Sequence, residues 1–226
     1  RAAALVGGRG AHAMGWAHQT YWEFLTAHYL VTRNLPIKTV VSLITHPEAT
    51  RKIVPQLQEV AGWLASMMPE YFRAFVDIAP EVLLTSDAAS ADPGMRRALT
   101  QNLLAAADRG DFFDNDWGVS WHFRKLGYQA TAQDLSPFIT DERKGIVPRR
   151  IAIDIAEVVR CTDVIEELLG VALASSENLE IRRQAAFAVS DRRRRNQGEA
   201  EATFAGIARS RPRRRTEGFG VTGALA

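Results

Sequence analysis

Arg149-Arg-Ile-Ala-Ile-Asp-Ile-Ala156 returns 33 residues later as Arg182-Arg-Gln-Ala-Ala-Phe-Ala-Val189, a pair of arginines followed by an alanine-rich apolar run. Both copies carry the 3.6-residue period of an amphipathic helix: Ile151, Ile155 and Val158 in the first, Ile181, Ala185 and Val189 in the second. Ala152, Ala156, Ala185 and Ala188 are small enough for neighbouring helices to approach closely. A helix pair recurring every roughly 30–45 residues cannot bury its apolar face alone and stacks on the next pair, the pattern of an α-solenoid.

Working outward from this repeat, the rest of the chain reads as further helices. Helices are expected at about 147–160, 163–174 (Ile165, Leu168, Ala172) and 179–190, with shorter ones near 121–126 and 131–139. Asp92-Pro93 is an N-cap followed by proline at the first helical position, and Gly110 stops the helix that carries Met95, Leu99, Leu103 and Ala106. Pro69 opens a helix with Tyr71, Phe72 and Phe75, and the stripe Ile53, Leu57, Val60, Leu64, Met67 predicts a helix over about 50–68. A helix after Pro36 takes in Ile37, Val40, Val41 and Ile44, and another spans 18–32 with Tyr21, Phe24, Leu25 and His28 on one stripe. No stretch alternates with period two for long enough to build a sheet. The fold class is all-α: a helical bundle leading into an α-solenoid, with a disordered C-terminal tail.

The 226 residues suffice to bury a core, and 46% hydrophobic with 24% charged residues is ordinary for a globular chain. No apolar run approaches the roughly 18–20 residues of a membrane span, and residues 1–8 form no signal peptide. Cys161 is the single cysteine and cannot close an internal disulfide, so a cytoplasmic location is expected. The net charge of +2 hides a contrast: residues 191–226 hold nine arginines against four acids (+5), the remainder 19 basic against 22 acidic residues (−3).

The stretch Ala17-His-Gln-Thr-Tyr-Trp-Glu-Phe-Leu-Thr-Ala-His-Tyr-Leu30 resembles the F-x-H-x-x-x-x-E-[FY]-[FL]-x-A-x-[YF]-L helix that follows the ATPase core in NACHT-type STAND NTPases. These include bacterial antiphage-defence proteins and, more distantly, animal NLR immune sensors. His18, Tyr21, Glu23, Phe24, Leu25, Ala27, Tyr29 and Leu30 match in order, with Trp16 where the family has Phe. Ile53–Ala65 and Pro80–Asp87 are similar to helical regions of such proteins, and Ile181-Arg-Arg-Gln-Ala-Ala186 is HEAT-like. The resemblance covers about 15–190 and divides the chain into a starting loop (1–17), a helical domain following the ATPase core (18–145), HEAT-like repeats (146–190) and an Arg-rich tail (191–226), disordered or frame-shifted. It implies a non-catalytic regulatory or sensor segment of a longer parent, entered in its middle at Arg1. That parent would bind ATP and Mg²⁺, would oligomerise, and its ATPase module would be the partner of this segment.

A P-loop needs G-x-x-x-x-G-K-[ST], and Gly7-Gly-Arg-Gly10 lacks the Lys-Ser/Thr. No catalytic residue is therefore assigned. His18 is the one candidate cofactor-binding residue, because the family's histidine can face the nucleotide; the alternative is a histidine packed among aromatics. Asp111, Asp114 and Asp116 fail the spacing of a calcium loop, which leaves an acidic solvated loop. The five histidines have no zinc spacing, so no metal ligand is assigned. Cys161 reads as a buried structural thiol, and Trp117, Trp121 and Phe123 as core rather than a stacking platform. Two further functions remain open: a free-standing HEAT-like protein-binding scaffold, and, disfavoured, nucleic-acid binding through the tail.

Overall fold

The computed structural model describes residues 6–8, 14–16, 18–47, 52–90, 92–112 and 119–190. The Arg-rich tail, Asp114, Asp116 and Trp117 lie outside them. The described fold is helical. Helices α1 (Gln19–Thr32), α2 (Ile37–Ile44), α3 (Gln58–Met67), α4 (Pro69–Val76), α5 (Pro80–Thr85) and α6 (Pro93–Arg109) come first. Then follow α7 (Val119–His122), α8 (Thr131–Thr140), α9 (Ile146–Val158), α10 (Ile165–Leu173) and α11 (179–190). No helix among the described residues is long and apolar enough to cross a membrane.

Three elements depart from expectation. Residues 1–17 are not simply loop: Val6–Gly8 and Met14–Trp16 pair as two antiparallel strands, Val6 opposite Trp16. The helix expected from about residue 50 begins only at Gln58, preceded by a 3-10 turn at Pro55–Leu57. Pro55 lacks an N–H and holds Val54 extended (φ −55°, ψ 125°), so Ile53 instead bridges Thr45, with Val54 N–H donating to Ile44 at 2.9 Å. Helix α5, for which the sequence offers only the resemblance of Pro80–Asp87 to helical regions, spans the six residues Pro80–Thr85 with the proline at its first position.

The caps follow the chemistry. Asp92 accepts from the Met95 N–H at 2.8 Å, and Gly110 (φ 77°) closes α6 as Asp111 N–H reaches back to Ala106 at 2.8 Å. The same closure ends α9 without a glycine: Arg160 sits at φ 58°, and Cys161 N–H bonds Ala156 at 2.9 Å.

One hydrophobic core joins the described helices, from Ala27 to Ala188. Helix α3 packs on α1, α4 and α5, and Val60, Leu64, Tyr71, Phe72, Phe75 and Leu83 are all buried in the core these helices share. Helix α6 carries the core onward through Leu99 and Leu103 to α9, where Ile151 and Ile155 are buried. Each such aromatic or aliphatic side chain contributes about 1.5–3 kcal/mol by burial. Asp134 of α8 binds back to α6, taking bonds from Arg97 Nε (2.9 Å) and Gln101 (2.8 Å), and from the Tyr128 hydroxyl (2.7 Å). Burial pushes the Asp134 carboxyl up, but the hydrogen bonds from Tyr128, Gln101 and Arg97 outweigh it and hold it below the usual range.

The last four helices make two hairpins related by 33 residues along the chain. Shifting α8 (Thr131–Thr140) and α9 (Ile146–Val158) by that offset superimposes their spans on α10 and α11 to within a residue at every bound. Leu135 corresponds to Leu168, Ala152 to Ala185 and Ile155 to Ala188, and all six are buried. The arginines correspond as well. Arg149 Nη2 donates to the Ile139 carbonyl (3.1 Å) at the end of α8, and Arg182 Nε donates to the Ala172 carbonyl (3.3 Å) at the end of α10. The hairpins join through Ser136 to Glu167 (2.9 Å), Arg150 to Glu180 (2.9 Å) and the buried pair Arg149–Glu177.

Candidate interaction surface

Helix α1 buries the face opposite to its aromatic stripe. Glu23 and Ala27 are buried, and Trp22, Leu30 and Val31 pack against the core, because Ala27 is small enough to bring α1 close to α3. Tyr21, Phe24, His28 and Tyr29 are left on the outside, Tyr29 at 54% exposure, with Leu25 half-buried. Glu23 receives a neutral bond from the Gln19 amide at 2.7 Å.

The exposed rings brace one another. His18 and Tyr21 meet edge to face with centroids 6.2 Å apart, and Phe24 stacks on His28 at 6.1 Å. Phe24 and Trp63 of α3 also meet edge to face, 5.3 Å apart at 86°. Arg33 lies over the Tyr29 ring, 5.0 Å from its centroid. Ring pairs of this geometry fix side chains that solvent would otherwise leave mobile. Exposed aromatic side chains of this kind offer contact area at low entropic cost.

His18, the sequence's cofactor candidate, is the N-cap of α1. Its Nδ1 accepts from the Thr20 N–H at 3.2 Å and the side chain is exposed. Among the described residues the ring it meets is Tyr21. The other candidates scatter. Asp111 pairs with Arg109 at 2.8 Å; Phe123 is core as expected; Trp121 is not, standing 64% exposed with the Arg124 guanidinium 3.5 Å from its ring centre. Cys161 is half-buried rather than buried, since it follows the left-handed turn that ends α9 at the surface. Among the described residues no three His, Cys, Asp or Glu side chains gather as a metal site.

Buried and bridging groups with shifted titration lie elsewhere. Hydrogen bonds from Arg149 hold the Glu177 carboxyl below the usual range against the opposing effect of burial. Burial lowers the Lys125 ammonium, which donates to the Ser86 carbonyl, and Asp87 at 3.8 Å offsets this in part. Burial and the bond to Asp134 raise the Tyr128 phenol far above its ordinary value. Each of these groups ties separate elements together. The partners of Glu177 and Lys125 lie 28 and 39 residues away in sequence, which no local periodicity reveals, whereas Tyr128 and Asp134 are six residues apart. No family model matches the chain, and no curated protein and no solved structure matches it.

Proposed function

We propose that the chain is a non-catalytic helical interaction module, the segment following the ATPase core in a NACHT-type STAND NTPase. The exposed aromatic strip of α1 carries this reading: the helix that resembles the family's post-ATPase helix keeps Tyr21, Phe24, His28 and Tyr29 outside a finished core. In this reading the strip packs on the ATPase module of the parent chain, which holds ATP and Mg²⁺ and drives oligomerisation in the cytoplasm. His18, at the exposed start of the same helix, is the one residue that would come near the nucleotide.

The pairs α8–α9 and α10–α11 serve as two HEAT-like units of an α-solenoid that provides the sensing surface. We begin the repeat at residue 131 rather than 146, because α8 is the first helix of the pair that recurs as α10–α11. The 33-residue offset and the two arginine-to-carbonyl bonds support this.

The reading is tested in two steps. Calorimetric titration with Mg-ATP is expected to show no binding to this chain; submillimolar affinity overturns the absence of a nucleotide site. The coding sequence upstream is then expected to contain a P-loop in frame within roughly 300–400 codons, the size of an ATPase domain with its linker. The polypeptide it encodes should capture this chain, and Tyr21→Asp with Tyr29→Asp should abolish capture. Capture that survives both substitutions removes the α1 strip from the interface.

A further inference from the structure

We propose that the α10–α11 pair is a hinged flap, held to the rest of the fold by a polar latch and able to open as one unit while the helices up to α9 stay folded. The latch is made of side-chain ties that cross from α8 and α9 to the pair. Glu167 of α10 accepts from the Ser136 hydroxyl (2.9 Å), Glu177 from Arg149 Nη1 (2.9 Å) and Glu180 from Arg150 (2.9 Å), while the Gln184 amide donates to Asp154. The latch is incompletely satisfied. Among the described residues Arg149 Nε and Glu167 Oε2 are buried with no hydrogen-bond partner. Opening returns both atoms to water, which offsets part of the cost of breaking the ties around them.

The apolar grip on the pair is light. Its buried apolar side chains are Val164, Leu168, Val171, Ile181, Ala185 and Ala188, none of them aromatic, whereas the core before it holds Tyr71, Phe72, Phe75 and Phe123. Hydrophobic stabilisation follows the area removed from water, so valines and alanines hold less firmly than rings. The pair is also closed on itself. Arg182 Nε of α11 donates to the Ala172 carbonyl of α10 (3.3 Å), and the Glu177 N–H donates to the Ala174 carbonyl (3.3 Å) in the turn between them. The connection from α9 supplies the hinge: after the left-handed Arg160, Cys161 is half-buried and Thr162 and Asp163 are exposed. Opening uncovers Arg149 and Arg150, the two cations that the carboxylates of the pair cover when it is closed. The flap uses contacts within this chain only and is independent of any ATPase partner.

Native-state hydrogen exchange of the full chain, read by mass spectrometry on peptic fragments, tests this. Fragments from residues 164–190 should share one opening constant, at least roughly tenfold larger than that of fragments from α6 and α9. Ser136→Ala with Arg150→Gln removes two ties from the α8–α9 side and leaves α10 and α11 unaltered in sequence. Exchange should then rise by roughly three- to tenfold across both α10 and α11, with α6 and α9 unchanged and the circular dichroism of the parent chain retained. Because neither substitution lies on the pair, a rise there reports the latch and not a weakened helix. Three results overturn the proposal. One is exchange of 164–190 no faster than that of α6 and α9. Another is exchange of α11 alone while α10 keeps the protection of α9. The third is a substituted chain in which exchange rises as much in α6 as in the pair, or does not rise in the pair at all.

Discussion

At the scale of single residues, Arg149 and Glu177 are the pair on which most depends. Both are buried, the guanidinium also holds the Ile139 carbonyl, and its Nε has no partner among the described residues. A buried ion pair recovers its desolvation cost only while both members are present. Arg149→Met is therefore expected to destabilise by about 3–5 kcal/mol in urea titrations, leaving an uncompensated carboxylate, whereas Arg149→Met with Glu177→Leu should recover most of that loss. A double variant as weak as the single one would mean that packing around the guanidinium stem, not charge, dominates. Arg160 poses a backbone question instead. At φ 58° a Cβ costs roughly 1 kcal/mol, so Arg160→Gly should be more stable than Arg160→Ala by about that amount, a comparison in which the side chain is absent from both.

Among the elements, α6 shows what the sequence discloses well. Asp92, Pro93 and Gly110 mark its ends because capping is local: donor, acceptor and backbone angle lie within a few residues of one another. Asp92→Ala is expected to cost about 1 kcal/mol with no change in the urea m-value, because it removes the Met95 bond and nothing in the core. Helix α1 shows the opposite case. Its aromatic stripe is legible as a stripe, but period alone does not say which side meets the core. The small Ala27 won that side against the rings, because close approach of α1 to α3 needs a short side chain there. Helix α3 starts later than its apolar spacing predicts for a simpler reason: Ile53 keeps the spacing, yet Pro55 overrides it. If the α1 strip is an interface left open, Tyr21→Ser with Tyr29→Ser should leave the melting temperature within about 2 °C and reduce light scattering at high concentration. A large fall in melting temperature would make the rings structural.

Across the whole molecule, the 33-residue echo was legible because it repeats a local pattern, while the acids that answer its arginines were not, since Glu177 in the turn before α11 and Glu180 in its first turn are unremarkable until the fold brings them to α9. The same long-range ties set the response to acid. Asp134 holds α8 to α6, Glu177 holds the start of α11 to α9, and both carboxyls titrate below their ordinary values in the folded chain. A depressed folded value means that the unfolded chain binds protons first. The stabilisation is thus fully present above the unfolded values, about 3.9 for Asp and 4.3 for Glu, and is lost as the pH falls through the lower folded ones. The melting temperature should therefore hold between about pH 7 and 5 as far as these two groups govern it, then decline below about pH 4. In the Asp134→Asn, Glu177→Gln variant the starting value should be lower and the decline shallower, because the two protonation sites are gone while Arg97 and Arg149 remain. Thermal scans by circular dichroism at half-unit pH steps separate the outcomes: parallel curves for variant and parent would place the acid sensitivity in other carboxylates and refute the role given to this pair of ties.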